Sequence, residues 1–143
     1  LIAATTILTT MTLASCDIET SSAAGDFNGM WHLTRVDTLA TGGVLDLKKE
    51  KIYWAFQYKL MQADDKNEKH PKILMRFNQT NTQLTLHTPY CYDRENGDVP
   101  LSDPTLLAPY GINKLEENFQ VIKLTGSKMV LQSETLKLTF KGF

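Results

Sequence analysis

The sequence predicts an all-β fold, a single antiparallel up-and-down β-barrel of about eight strands, and three observations predict it. Apolar residues recur with period 2 rather than 3.6. Turn-forming clusters separate these stretches at hairpin spacing. No segment carries a convincing helical pattern. A closed barrel is favoured over a sandwich because closure removes the unpaired edges that a flat sheet exposes.

Taken in order, the first strand opens at Gly29-Met30-Trp31. Ile52, Trp54, Phe56, Tyr58 and Leu60 then alternate with Tyr53, Ala55, Gln57, Lys59 and Met61, which predicts one long strand with an aromatic face and a mixed face. Ile73, Met75 and Phe77 alternate with Leu74 and Arg76, and Leu84 and Leu86 with Gln83, Thr85 and His87. Near the end, Lys128-Met129-Val130-Leu131-Gln132 and the run Leu136, Leu138 and Phe140, alternating with Lys137, Thr139 and Lys141, read as a closing hairpin. Turns fall at Thr41-Gly42-Gly43, residues 64–71, residues 78–82, Asn96-Gly97-Asp98, Thr125-Gly126-Ser127 and Gln132-Ser133-Glu134. Between residues 91 and 113 the alternation lapses around Pro100, Pro104 and Pro109, which predicts a long loop covering one end of the domain.

The chain has 143 residues, room for one domain, with 15 Lys and Arg against 16 Asp and Glu and a formal charge of -1. Both signs are interspersed, so there is no field of the kind that attracts nucleic acid. After Cys16 no apolar run reaches the roughly 20 residues that a spanning helix needs.

Residues 1–15 contain no charge, no Pro and no Gly and are dominated by aliphatic residues, Ala and Thr, which is the composition of a signal h-region. The chain begins at Leu1 without a basic n-region, so a few further residues carrying Lys or Arg are expected ahead of it. The run ends in Leu13-Ala14-Ser15-Cys16 and is followed by a polar stretch from Asp17 to Asp26. That tetrapeptide resembles the lipobox of bacterial lipoproteins, in which small residues precede a cysteine that carries diacylglycerol through a thioether. The division expected is a signal segment over 1–15, a lipidated Cys16 with a flexible tether over 16–26, and the barrel over 27–143. The competing reading makes residues 1–15 a strand and Cys16 a core thiol.

Gly29-Met30-Trp31 also resembles the G-x-W signature of lipocalins, where the Trp closes the base of the barrel. With the lipobox, Gly29-Met30-Trp31-His32-Leu33 and the closing hairpin, the chain is similar over nearly its full length to small lipocalin-like lipoproteins of gut-type bacteria. The resemblance implies a non-catalytic barrel, with Gly29 and Trp31 as its signature. It implies a basic side chain packed on the Trp, for which Lys137, Lys141 and Arg35 are rivals. The Thr-Asp-Tyr motif of classical lipocalins is absent and the mature chain is shorter, which implies a smaller ligand cup. The residues carried as ligand-binding walls are Trp54, Phe56 and Tyr58; the alternative places them in a core that fills a small barrel.

Catalytic and metal chemistry is not expected. His32, His70 and His87 lack ligand spacing, and Cys91, the other cysteine, has only His87 four residues upstream. Asp93-Arg94-Glu95-Asn96-Gly97-Asp98 fails the EF-hand pattern because its twelfth position is Pro104, and reads instead as an Asx-stabilised turn. No phosphate loop and no G-x-S-x-G elbow is present. No cofactor is expected. The function expected is a lipid-anchored protein of the bacterial envelope, at the outer membrane rather than the inner, binding a small apolar or amphipathic ligand. The alternative is an interaction module that docks another envelope protein through residues 91–113.

Overall fold

The computed structural model describes residues 24–93, 95 and 97–143. The signal segment expected over residues 1–15, Cys16 and residues 17–23 of the expected tether lie outside the described residues. Ten strands are present among the described residues: β1 (Gly29–Thr38), β2 (Val44–Asp46), β3 (Ile52–Gln57), β4 (Leu60–Asp65), β5 (Ile73–Gln79), β6 (Gln83–Cys91), β7 (Val99–Pro100), β8 (Glu117–Leu124), β9 (Lys128–Gln132) and β10 (Leu136–Gly142).

Eight of them form the closed antiparallel barrel, in the order β10-β9-β8-β6-β5-β4-β3-β1, and the pairing of β1 with β10 joins the two ends. The short β2 adds to β1, and β7 adds to β6. Closure aligns Trp31 with Gly142 and Thr38 with Leu136, so no long edge is left unpaired. A bulge between Leu33 and Arg35 lets both Leu33 and Val36 face the core. The closure, its plugs and its core all lie within residues 24–143, so a chain starting at residue 17 carries all of them.

The predicted alternation holds in β5, where Ile73, Met75 and Phe77 point inward, and in β10, where Leu138 and Phe140 do. The long strand predicted over residues 52–60 is corrected. Gln57 pairs with Leu60 across a two-residue connection, so the strand ends at Gln57 and Leu60 opens β4. The hairpin resets the inward face to Met61 and Ala63. Tyr58 stands in the turn at φ 56 and is 70% exposed, off the aromatic face on which the alternation placed it.

The barrel has a lower end, where the chain enters, and an upper end. At the lower end the 3-10 turn Gly25–Phe27 tucks Phe27 under the barrel, 5.3 Å from the ring of Phe56. Ala24 is fully buried, so the packed fold begins ahead of Phe27. Trp31 is 3% exposed and donates its indole N–H to the Phe27 carbonyl at 2.9 Å.

Candidate functional site

Residues 91–113 cover the upper end, as the loop reading expects. Within them the 3-10 helix Pro104–Tyr110 enters the barrel mouth, with Leu107, Tyr110 and Ile112 fully buried. Asp103 caps its start by accepting from the backbone N–H and the hydroxyl of Thr105, at 3.0 and 2.8 Å; these bonds hold its carboxyl below the usual carboxylate range. Gly111 ends it at φ 84. Beyond the plug, Asn113 donates its backbone N–H to the buried Glu117 carboxylate at 2.9 Å and its side-chain amide to Thr135 at 3.0 Å.

Tyr110 is the centre of the plug. Its hydroxyl donates to the Pro71 carbonyl at 2.6 Å, and its own carbonyl accepts the indole N–H of Trp54 at 3.0 Å. Burial pushes the phenol well above its usual value, and the charges of Asp65, Asp64 and Cys91 push the same way. The folded protein thus holds this proton more tightly than the unfolded chain. The stability linked to it is complete below the unfolded value of 10.0 and is lost as pH rises above it, at about 1.4 kcal/mol per pH unit. Tyr110→Phe is expected to cost about 1 kcal/mol at neutral pH and to flatten the alkaline decline relative to the native protein, as read by urea unfolding from pH 7 upward.

The walls predicted for a ligand are placed as follows. Trp54 and Phe56 face the interior at 0% and 2% exposure. The Trp54 ring lies 4.8 Å from Phe140, 5.7 Å from Phe119 and 6.3 Å from Phe56. Phe56 meets Phe77 edge-on at 5.1 Å, and Met61, Met75, Leu84 and Leu86 are fully buried around them. These side chains fill the volume of a cup. Tyr58 does not line that interior.

Gly29 opens β1 at φ 118, an angle that favours glycine, but a side chain there would meet nothing within 4 Å. A close approach occurs instead at Gly142, where a Cβ would lie 3.0 Å from the Trp31 ring and 2.7 Å from the Gly126 carbonyl. Of the three basic residues considered as partners for Trp31, Arg35 turns instead to Asp37 at 2.6 Å.

Cys91 is half-buried where β6 pairs β5 and β7. His87 lies four residues back on the same strand, about 13 Å along an extended chain. His87 Nδ1 is hydrogen-bonded to the Thr88 hydroxyl at 2.8 Å, and His87 and Cys91 form no nucleophile pair. No group of three His, Cys, Asp or Glu among the described residues comes together to hold a metal ion. Asp93 accepts the backbone N–H of Glu95 at 3.0 Å, an Asx turn. The apolar content expected to dock a partner is directed inward at Leu107, Tyr110 and Ile112, leaving Val99 and Leu106 exposed.

A groove lies on the outer surface, where β1 and β10 close the barrel. It has a volume of about 600 Å³ and is lined by His32 and Thr34 of β1, Thr139, Phe140 and Lys141 of β10, Ser127 and Lys128 at the β8–β9 hairpin, and Lys48 after β2. The bulge sets its floor: Thr34 donates its hydroxyl to the Thr139 carbonyl at 3.1 Å and accepts the Leu47 N–H at 2.8 Å, which draws the β2–β3 connection over β1. His32 donates from Nε2 to the Glu50 carbonyl at 2.7 Å and stacks on Tyr53. Three ammonium groups, three hydroxyls and no carboxylate line the groove, a set that suits an anionic group. Sequence reasoning passed over these residues, which read as the solvated face of two strands about a hundred positions apart.

Residues 11–143 match the family described as "Lipocalin-like domain". No curated protein matches the chain. The fold is similar to the crystal structure of a lipocalin-like protein from Bacteroides uniformis, at 18% identity and a TM-score of 0.62, over 83% of this chain and 100% of the other. It is also similar to an uncharacterized protein from Bacteroides eggerthii, at 17% identity and a TM-score of 0.58, over 82% of this chain and 99% of the other. At these identities the likeness is one of fold.

Proposed function

The chain belongs to the lipocalin-like domain family, and from that premise we propose that it is a bacterial envelope protein, lipid-anchored through Cys16, that binds a small amphipathic ligand with an anionic group on its outer surface, without catalysis. The observation that carries the binding site is the contrast between a buried apolar interior, plugged at both ends, and an open groove of about 600 Å³ whose polar lining is three lysines, three hydroxyls and His32, with no carboxylate. A volume of that order falls in the range of small-molecule sites. The anchor rests on the apolar segment ending in Leu13-Ala14-Ser15-Cys16. Two or three acyl chains, at roughly 0.8 kcal/mol per buried methylene, suffice for stable attachment. Asp17 after the cysteine bears on sorting between membranes, and the outer membrane is the reading retained.

A second reading keeps the ligand inside, with the segment Pro104–Tyr110 as a lid. It is favoured by the hydrogen bond from Trp54 to Tyr110, which occupies a polar position that a ligand in an open cup would take.

Native mass spectrometry of residues 17–143, purified without detergent, tests the site. The groove reading expects a bound species that is lost in the double variant Lys128→Glu, Lys141→Glu and retained in Trp54→Phe. The opposite pattern supports the lid, and a mass without ligand in every preparation contradicts both. The anchor is tested separately: labelled palmitate is expected to enter the native chain and not Cys16→Ser.

A further inference from the structure

The lower end of the barrel differs in charge from the rest of the molecule. Its segments, residues 24–30, 57–61, 77–84, 122–129 and 140–143, carry Lys59, Lys123, Lys128 and Lys141 against one carboxylate, Asp26. The other carboxylates of the described residues lie in other segments, and of these Asp98 comes beside Leu60, Leu74 and Arg76. On the outer face beside this basic end, Tyr58 and Leu60, exposed at 70% and 45%, line a shallow groove of about 420 Å³ with Ala55, Gln57, Gln62 and Leu74, and Met30, 37% exposed, pairs with Ala55 on the neighbouring strand.

Tyr58 is the unusual member. It holds φ 56 in a two-residue hairpin connection, where glycine is the unstrained choice, and its ring makes no buried contact in return. A strained, exposed aromatic next to a lysine matches what an interface between water and lipid accommodates, since the ring and the ammonium stem are both amphipathic.

From these features we propose that the lower end rests on the surface of an anionic bilayer, with Tyr58, Leu60 and Met30 entering the interface and Lys59 and Lys123 meeting lipid phosphates. This rests on the reading of Cys16 as the lipid anchor. Cys16 precedes Ala24 by eight residues, a reach of at most about 28 Å, so the lipid is attached within that distance of this end of the barrel. The strip and the charge then hold the domain in one orientation and direct the plugged upper end away from the membrane.

The test uses residues 17–143, which lack the acylated cysteine, so that partitioning reports the surface and not the anchor. Sedimentation with phosphatidylglycerol–phosphatidylcholine vesicles is expected to carry the protein down at low salt, less at high salt, and little with phosphatidylcholine alone. Lys59→Glu and Tyr58→Gly are each expected to lower partitioning about fivefold or more. Tyr58→Gly suits the local φ, so its barrel should unfold no earlier than the native one, which separates the surface effect from loss of fold. Absence of partitioning at low salt overturns the proposal, as does partitioning that neither variant changes. A vesicle-independent dimer abolished by Tyr58→Gly also overturns it, since a second copy of the chain would then cover the strip. Failure of palmitate to enter Cys16 would instead remove the anchor reading and leave the vesicle result to stand alone.

Discussion

Trp54→Ala is expected to destabilise the barrel by about 3–5 kcal/mol, read as a shift of the urea midpoint with little change in slope. The indole lies at the junction of Phe56, Phe119 and Phe140 with ring centroids 4.8–6.3 Å away, and none of these has room to collapse into the space it would leave. The substitution also takes the donor from the Tyr110 carbonyl, which is buried against the plug. A domain of ordinary stability, about 5–15 kcal/mol, would lose a large fraction of it. Trp54→Phe keeps most of the ring volume and is expected to cost clearly less. Equal losses in the two variants would show that the bond to the plug, and not the packing, carries the effect.

Gly111→Ala is expected to cost about 2–4 kcal/mol, from two sources that add. At φ 84 an alanine is strained. A Cβ built there lies 2.7 and 3.0 Å from the two methyl carbons of Leu138, which is itself fully buried and has nowhere to move. Leu138→Val in the same chain removes part of the clash, so the double variant should lose less than the two single losses together. Simple additivity in thermal or urea unfolding would contradict the account of the plug as a closely packed part of the core.

Strand chemistry was legible because a half-buried strand writes its two faces directly into alternate positions. That is why β5, β10 and the closing hairpin are found where Ile73, Met75, Phe77, Leu138 and Phe140 predict. Alternation cannot report a hairpin that leaves it unbroken. Gln57-Tyr58-Lys59-Leu60 keeps the period while reversing the chain, and a Tyr at positive φ gives no turn signal. The loop of residues 91–113 was readable as a cover over one end, from its prolines. Its depth was not, because the apolar residues that fill the mouth, Leu107, Tyr110 and Ile112, look the same in sequence as a docking surface. The outer groove was hidden for a third reason. His32 and Thr34 meet Thr139 and Lys141 because β1 pairs β10; a closed barrel implies that pairing, but alternation carries no signal of the register that sets His32 against Lys141.

The central claim is that the barrel is closed and filled, so that ligand binds outside. The exchange rate of the Trp54 indole N–H, followed by NMR in deuterated buffer, tests it most directly, because that proton is bonded to the plug at 3.0 Å. The account predicts protection equal to that of the slowest amides of β1 and β10, with exchange requiring global unfolding and accelerating with added urea. Exchange orders of magnitude faster than those amides and indifferent to low urea would mean that the plug opens alone, and would return the ligand to the interior.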